Sequence, residues 1–480
     1  MNPIRHQWIA LAKQEYGDLY QDMRWITSQE AEKATRLRDQ LLASLSDGIE
    51  WGYADTKPYL MELSPGCRLC GEGLWSCLFI NSICNAHCFY CPTSQKVKGE
   101  PATNTIVFTR AEEYIDYLRY FRFEGVSISG GEPLMTPDRT LSFISKVKKH
   151  AGQNIYLWLY TNGILLTESI VGRLKDAGLD EIRFDLSAVG YNLEKLLLAV
   201  GQIPNITVEI PAIPEDEELL RDLILRLKNT GVRYLNLHQL RCTPHNYAHL
   251  VKRKYTFLHG EKVTVLESEL ATLRLLKFVL DNRLNLPVNY CTFPYKYRFQ
   301  SLAARKRTAG IMMKPYEDIT SASFIRNLSI RIDPGKAHGM IESLKQQGFD
   351  ENAYHLNPSK DRLNFNEQVW KGMELKGLPI ILSYFKTSMV PEISYHYPYK
   401  TIQLNPRKSV NIERMPVIRE KEIPPDFLPL FSKILLGTDP SVSDLNDMLK
   451  EYLKAHPSEM DSITTILNCE QIRKGLPDYF

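Results

Sequence analysis

The chain has 480 residues, of which 44% are hydrophobic and 24% are charged, and this balance is typical of a globular protein. Its formal net charge of +3 is close to neutral for this length, which gives no electrostatic reason to infer a nucleic-acid partner. No apolar stretch near the N-terminus is long enough for a signal peptide or a membrane span. We therefore expect a cytoplasmic protein with no membrane partner and with two or three folding units.

Residues 1–60 form the first predicted segment, which contains two helices. Thr27 is followed three residues later by Glu30, a pattern that resembles a capping box and predicts the start of the second helix. The apolar face of the first helix predicts that this segment packs on or covers the rest of the protein.

Residues 61–250 alternate short apolar strands with helices. The six predicted strands are LWSCLFI, VSIS, IYLWLY, EIRFDLS, ITVEIPAI and YLNLHQL. Strict alternation of this kind predicts parallel β/α units, so we expect an α/β fold built as an open, partial (β/α)6 barrel. In such folds the loops at the carboxyl ends of the strands carry the chemistry.

The remaining sequence predicts two further segments. Residues 251–310, with the helix ESELATLRLLKFVLDNRL, are expected to extend the barrel. Residues 311–480 are expected to form a C-terminal domain of α+β and helical structure, with FIRNLSIRI and PIILSYF as strands. That domain is large enough to bind a macromolecular substrate, although packing and dimerisation are alternative roles.

Six of the nine cysteines lie between residues 67 and 91. In a reducing compartment, such close spacing indicates metal or redox chemistry more than disulfides. Cys84, Cys88 and Cys91 directly follow the first predicted strand and can surround one side of an iron–sulfur cubane. Because a fully coordinated cluster takes four cysteines, three leave one iron open to a non-protein ligand. The alternative is a structural zinc site, which needs a fourth ligand such as His87.

The Cys-x3-Cys-x2-Cys spacing, with Tyr90 just before the last cysteine, resembles the radical S-adenosylmethionine (radical SAM) superfamily. A second motif at the end of the second strand agrees with the Gly-Gly-Glu-Pro motif of that family. Its residues are Gly130, Gly131, Glu132 and Pro133. The resemblance covers about residues 74–245. Glycines permit close backbone approach to a ligand, and a carboxylate can accept a hydrogen bond from a ligand's ammonium group.

The resemblance implies that Cys84, Cys88 and Cys91 are the catalytic and metal-binding residues. They would hold a [4Fe–4S] cluster at which SAM is reductively cleaved to a 5′-deoxyadenosyl radical. It also implies an electron donor of the flavodoxin or ferredoxin type. Further cofactor-binding residues are expected at the ends of the next strands: Asn162, Asp185, Ser187 and Ile213. A helix-cap role is the alternative for Asp185.

Cys67 and Cys70 form a glycine-flanked Cys-x2-Cys pair upstream of the first strand, and Cys77 lies within that strand. A turn that directs backbone N–H groups toward sulfur suits a metal. Three cysteines in this place resemble the radical SAM enzymes that build the wybutosine base on tRNA, which implies a second iron–sulfur cluster. An ordinary core position is the alternative for Cys77. Cys291 is a further candidate ligand.

These features predict a radical SAM enzyme that modifies a peptide, protein or RNA. Two alternatives remain at this point: an activase that generates a glycyl radical on a partner protein, and a non-catalytic iron–sulfur or zinc-binding scaffold. Because both family motifs are intact, the scaffold is the weaker alternative.

Overall fold

The structure is a computed structural model that describes residues 3–152, 154–372, 378–436 and 442–480. The chain divides into two compact units, of which the first is Met1–Ser301, Leu404–Lys408 and Lys474–Phe480, and the second is Leu302–Gln403 and Ser409–Arg473. The predicted C-terminal domain includes residues 373–377 and 437–441, which lie outside the described residues. The sequence divides the chain into four segments. The division into two units does not test the limits of those segments, which stay predictions. Within the described ranges, no helix is long and apolar enough to span a membrane.

The first unit begins with the two predicted helices, Pro3–Tyr16 and Ser28–Leu45, separated by a 3₁₀ turn at Gly17–Asp22. Thr27 Oγ1 accepts a hydrogen bond from the Glu30 backbone N–H at 3.3 Å, and Glu30 Oε2 accepts one from the Thr27 N–H at 3.0 Å. These reciprocal bonds satisfy orphan donors of the first turn, so the predicted capping box is confirmed.

Seven parallel strands form the partial barrel and pair with their neighbours in chain order. They are β1 (Trp75–Phe79), β2 (Gly125–Ser129), β3 (Tyr156–Thr161), β4 (Glu181–Phe184), β5 (Asn205–Pro211), β6 (Tyr234–His238) and β7 (Val288–Cys291). The six predicted strands are confirmed. The sequence also places the segment of β7 in a barrel extension but does not predict it as a seventh barrel strand.

Short antiparallel strands cover both edges of the open barrel. Lys57–Leu60 pairs with β7 and with Ile49–Gly52, whereas Ala102–Thr103 pairs with β1 and with Ile106–Val107. The edges of the sheet are therefore the short strands Ile49–Gly52 and Ile106–Val107 and not the barrel strands themselves. Short edge strands present few free backbone groups to another chain.

The connecting helices of the first unit follow from the same alternation. Their bounds are Pro65–Glu72, Ala111–Tyr120, Pro137–His150, Glu168–Asp176, Glu194–Leu197, Glu217–Leu227, Tyr247–Val251, Leu266–Asp281 and Phe293–Tyr295, with 3₁₀ turns at Pro133–Met135, Leu186–Val189 and Pro214–Asp216, a π-helical turn at Lys296–Gln300 and a small ribbon of Phe257–Leu258 with Thr264–Val265. Strand β4 is buried along its whole length, as expected where helices pack outside and side chains fill the barrel.

The second unit is an antiparallel sheet packed with helices, which confirms the predicted α+β character. Its strands are Asp318–Ile319, Ile325–Arg331, Tyr354–Leu356, Arg362–Phe365, Ile380–Val390, Tyr399–Asn405 and Lys408–Glu422. Its helices are Ser301–Met312, Ala337–Gln346, Glu367–Gly372, Leu428–Leu436, Val442–Ala455 and Met460–Glu470, with 3₁₀ turns at Glu351–Ala353 and Pro457–Glu459. The core of this unit includes Leu328, Phe365, Leu382, Phe427 and Phe431, all fully buried.

Candidate active site at the carboxyl ends of the barrel strands

A cavity of about 490 Å³ lies at the carboxyl ends of the barrel strands. This volume falls in the range of small-molecule sites, roughly 300–1,000 Å³. The structure brings nine of the predicted site residues into its wall: Cys84, Cys88, Tyr90, Cys91, Gly130, Gly131, Glu132, Asn162 and Asp185. Three other predicted residues of this site do not line the cavity: Pro133, Ser187 and Ile213. Ile210, in the same segment ITVEIPAI as Ile213, does line it.

The thiols of the cysteine loop receive hydrogen bonds from nearby amides. Cys84 Sγ lies 3.4 Å from the Ala86 backbone N and 3.6 Å from Asn162 Nδ2, and Cys91 Sγ lies 2.9 Å from Gln95 Nε2. Donors of this kind favour a thiolate. Burial acts in the opposite direction and raises the pKa of Cys88 to about 11. Ionisation of this thiol at neutral pH therefore requires a positive ligand such as a metal centre.

The donor set of the cavity fits an iron–sulfur cluster with an open corner. The wall contains three cysteines, and His87, the fourth ligand that a zinc site would need, is exposed and outside it. In the parts of the chain that the structure describes, no three His, Cys, Asp or Glu side chains gather closely enough for one metal ion. Thiolates of a cubane bind different irons, so they surround a cluster and do not converge on one point. The buried Asn85 Nδ2, which lacks a hydrogen-bond partner, adds a free donor to the loop.

The glycines after β2 are required by packing against the start of the cysteine loop. A Cβ at Gly131 would lie 2.0 Å from the Ile83 carbonyl oxygen. The Gly131 N–H donates to Asn81 O at 3.1 Å and the Glu132 N–H to Ile83 O at 2.7 Å. The expected reason for these glycines was close approach to a ligand. The structure gives another one, since backbone meets backbone here.

Glu132 is buried, and the protein itself occupies its carboxylate. Its oxygens accept hydrogen bonds from Thr161 Oγ1 at 2.8 Å, from the Asn162 N–H at 2.7 Å and from the Leu134 N–H at 2.9 Å. Burial raises the pKa of Glu132 to about 7, against the opposing effect of these bonds. The carboxylate thus joins the ends of β2 and β3, and its predicted contact with a ligand's ammonium group stays a prediction.

Tyr90 is fixed by the end of β4. Its hydroxyl lies 2.9 and 3.1 Å from the two carboxylate oxygens of Asp185 and 2.6 Å from Ser187 Oγ, which itself bonds to Asp185. Burial raises the pKa of Asp185. This three-residue network attaches the cysteine loop to β4, so Asp185 does more than the alternative helix-cap role requires.

The cavity also contains a charged array around His238, which the sequence places at the end of the sixth strand as a cavity residue without predicting its contacts. Lys296 Nζ lies 2.6 Å from His238 Nδ1, and His238 Nε2 lies 2.7 Å from Glu209 Oε1, although that N–H is not aligned as a hydrogen bond requires. Glu209 also pairs with Arg183 at 2.8 Å. A glutamate inside the apolar strand ITVEIPAI was a signal that could have indicated it, because a buried carboxylate needs a partner.

The pKa values of this array follow from its charges. Burial would raise the pKa of Glu209, but Arg183 and His238 outweigh burial and lower it. Burial, followed by the charge of Lys296, lowers the pKa of His238. At neutral pH the array therefore presents a carboxylate, a neutral imidazole and a cation to the cavity.

The upstream cysteines lie on a helix and not on the predicted turn. Ser64 Oγ accepts from the Cys67 N–H at 3.2 Å, and the helix Pro65–Glu72 ends at Gly73, whose φ is +72°. We call it the cysteine helix. The predicted turn geometry is wrong because a serine cap followed by proline starts a helix that a left-handed glycine ends. Cys67 and Cys70 are consequently one helical turn apart on the same face.

Comparison with known proteins agrees with this geometry. The family model described as the Radical SAM superfamily matches residues 78–197, which contain the cysteine loop and β2 to β4. Residues 78–197 form a domain of the Radical SAM superfamily. The protein is an enzyme of the radical SAM type, a family whose cofactors are a [4Fe–4S] cluster and SAM.

Individual relatives of this radical SAM protein include activating enzymes and cyclases. A protein of Methanocaldococcus jannaschii with the provisional name glycyl-radical enzyme activating enzyme is 28% identical over 377 residues, which are 75% of this chain and 94% of that relative. A GTP 3′,8-cyclase of Campylobacter jejuni is 28% identical over 157 residues, which are 33% of this chain and 47% of the cyclase. The match thus spans less than half of the cyclase. The solved structure of SuiB from Streptococcus suis, bound to S-adenosylmethionine, is 13% identical, with a TM-score of 0.35 over 62% of this chain and 67% of that one.

Proposed function

We propose that this radical SAM protein abstracts hydrogen from a polypeptide substrate and that Cys84, Cys88 and Cys91 hold its catalytic [4Fe–4S] cluster. When bound, the cluster and SAM supply reductive cleavage to a 5′-deoxyadenosyl radical. The chain's own residues position the cofactor: Tyr90, Gly130, Gly131, Glu132, Pro133, Asn162, Asp185, Ser187 and Ile213. The observation that carries this proposal is the single cavity that contains all three loop cysteines and no fourth.

The hydrogen-bond networks support the positioning role. Asn162 joins the end of β3 to the cysteine loop, because its Nδ2 donates to Asn85 Oδ1 at 2.8 Å while its backbone N–H donates to Glu132. Tyr90 joins the loop to Asp185 at the end of β4. Side chains that are hydrogen-bonded to residues on rigid strands keep a fixed position. In radical chemistry the protein contributes this positioning, and the cofactor carries out the reaction.

A polypeptide substrate is supported by the activating-enzyme relative, whose match spans 94% of its length. That relative also supports the activase alternative, in which the hydrogen is removed from a glycine of a partner protein. Electrons for either reaction would come from a donor of the flavodoxin or ferredoxin type. We place both the reaction and its donor in the cytoplasm.

RNA is a second candidate substrate, which two cations of the cavity wall favour, although the acidic Glu132, Asp185 and Glu209 line the same wall. Lys296 and Arg241 both line the wall, and cations at a cavity mouth attract phosphate groups. The cyclase relatives, which act on a nucleotide by name, match a smaller part of this chain, 33% for the Campylobacter jejuni enzyme. The longer match to the activating enzyme therefore ranks the polypeptide first.

A crossed digestion experiment separates the two substrates. The reconstituted, reduced protein is incubated with SAM and a macromolecular cell extract, and 5′-deoxyadenosine release is measured above the level without extract. Pretreatment of the extract with protease abolishes the stimulation if the substrate is a polypeptide, and pretreatment with ribonuclease does not. The reverse pattern assigns the substrate to RNA, and no release under any condition refutes the radical reaction itself.

A further inference from the structure

Lys57 is a buried lysine of the first unit. It lies on the strand Lys57–Leu60, between β7 and the edge strand Ile49–Gly52, and is 1% exposed. Its Nζ lies 3.8 Å from Cys291 Sγ and 3.9 Å from the centre of the Tyr295 ring. Among the described residues, no Asp or Glu lies within ion-pair distance of this ammonium group. An unpaired buried charge is costly, so a lysine here needs a negative group nearby that the side chains do not supply.

Two thiols lie near Lys57. Cys291 Sγ lies beside its Nζ, and Cys70 on the cysteine helix lies near Lys57, Cys67 and Cys291, with the Tyr295 hydroxyl facing Cys70. That hydroxyl is fully buried and has no oxygen or nitrogen partner among the described residues. Cys77 on β1 also lies near Cys70. Cys291 and Cys70 therefore flank one buried lysine, and Cys67 and Cys77 both lie near Cys70.

Amide groups already point at these sulfurs. Asn236 Nδ2 lies 3.4 Å and Asn289 Nδ2 3.8 Å from Cys67 Sγ, and Gln300 Nε2 lies 3.0 Å from Cys70 Sγ. Hydrogen bonds to sulfur stabilise thiolates and tune iron–sulfur clusters. The two asparagines also donate to oxygen, Asn236 to Glu209 Oε2 at 3.0 Å and Asn289 to Asn236 Oδ1 at 3.1 Å, so their sulfur contacts add to those bonds, and Gln300 contributes a further donor to Cys70.

We propose that Cys67, Cys70, Cys77 and Cys291 bind a second, fully coordinated [4Fe–4S] cluster inside the barrel, with Lys57 as its counter-charge. Cys291 completes the set that the upstream cysteines begin and ties β7 to the cysteine helix. A cubane with four thiolate ligands carries net negative charge, so it would be an anionic partner for the Lys57 ammonium group. A single zinc ion requires four donors at about 2.3 Å from one point. These side chains are not gathered in that way in the described part of the chain.

Metal analysis of the Cys70→Ala and Cys70→Ala/Cys291→Ala variants tests the ligand set. The full-length chain is reconstituted anaerobically with iron and sulfide, and bound iron, sulfide and zinc are counted. About eight irons per chain are expected for the wild type and for Cys70→Ala, which leaves three thiols at this site as in the cysteine loop, and about four for Cys70→Ala/Cys291→Ala, which leaves two. The matched control is Cys242→Ala, which removes another fully buried thiol and should keep about eight. About four irons in the wild type or in Cys70→Ala, one zinc in place of iron, or no loss in Cys70→Ala/Cys291→Ala would each overturn the proposal.

The Lys57→Met variant tests the counter-charge without touching a ligand. A nearby cation stabilises the reduced, more negative cluster, so its loss should shift the midpoint potential of the second cluster to a more negative value. The potential is read by optical titration in the Cys84→Ala background, where only the second cluster is expected. An unchanged potential would overturn the role of Lys57. A wild type that carries about eight irons but releases no 5′-deoxyadenosine from SAM would count against the proposed function and not against the second cluster.

Discussion

The substitution Glu132→Gln tests how the ends of β2 and β3 are joined. Glu132 is 1% exposed, and burial raises its pKa from 4.5 to about 7. An acid whose pKa is higher in the folded state stabilises the fold fully below its unfolded pKa, and this contribution is lost as the pH rises through the folded pKa. The wild type should therefore lose roughly 2–3 kcal/mol of stability from this group between about pH 5 and about pH 8.

Glutamine keeps the shape of the protonated acid and does not titrate. The difference in unfolding free energy between Glu132→Gln and the wild type should move in favour of the variant by roughly 2–3 kcal/mol across this pH range. Anaerobic chemical denaturation at the two pH values measures it, with Glu194→Gln, at an exposed position, as the matched control. A variant whose stability follows the wild-type pH profile would show that Glu132 is ionised throughout and would refute the reasoning.

Three further substitutions have defined outcomes. Gly131→Ala places a Cβ 2.0 Å from the Ile83 carbonyl oxygen, which should displace the cysteine loop and lower the iron bound per chain. The control Gly172→Ala, whose Cβ would have no atom within 4 Å, should keep the wild-type iron content. Tyr90→Phe removes a donor from the half-buried Asp185 carboxylate, so thermal denaturation should show a loss of stability of about 1–3 kcal/mol. An unchanged stability would contradict the network. Glu317→Gln breaks the buried ion pair with Arg414, in which both N–O distances are 2.7 Å. Chemical denaturation should show that the second unit loses about 3–5 kcal/mol of stability. The control Glu351→Gln, at an exposed position, should lose less.

The parts of the site that are local in sequence were predictable. Cys84, Cys88 and Cys91 lie within eight residues after a strong apolar strand, and Gly131 follows the next strand, so spacing alone places them at one end of a barrel. The same alternation predicts six of the seven parallel strands. Strand β7 was not predicted as a barrel strand because VNYC is four residues long and because its burial depends on pairing with β6, which is distant in sequence.

The long-range polar contacts could not be predicted. The Lys296–His238 contact joins residues 58 apart, and the Lys57–Cys291 contact joins residues 234 apart. The hydrophobic periodicity of the sequence gives no information on such long-range pairs. The cysteine helix is a different case, since Ser64 and Pro65 at its start and Gly73 at its end were readable signals. The glycines beside Cys67 and Cys70 favoured a turn, but Gly71 is needed in the helix because a Cβ there would lie 2.1 Å from the Tyr53 ring.

The central claim is that the three loop thiols hold a cluster whose open iron binds SAM. Its most direct test is the amount of 5′-deoxyadenosine that the anaerobically reconstituted, dithionite-reduced chain releases from SAM, compared among the wild type, Cys88→Ala and Cys242→Ala. The wild type and Cys242→Ala should release it, and Cys88→Ala should not. Equal release by Cys88→Ala, or none by a wild type that carries its full iron, would contradict the account.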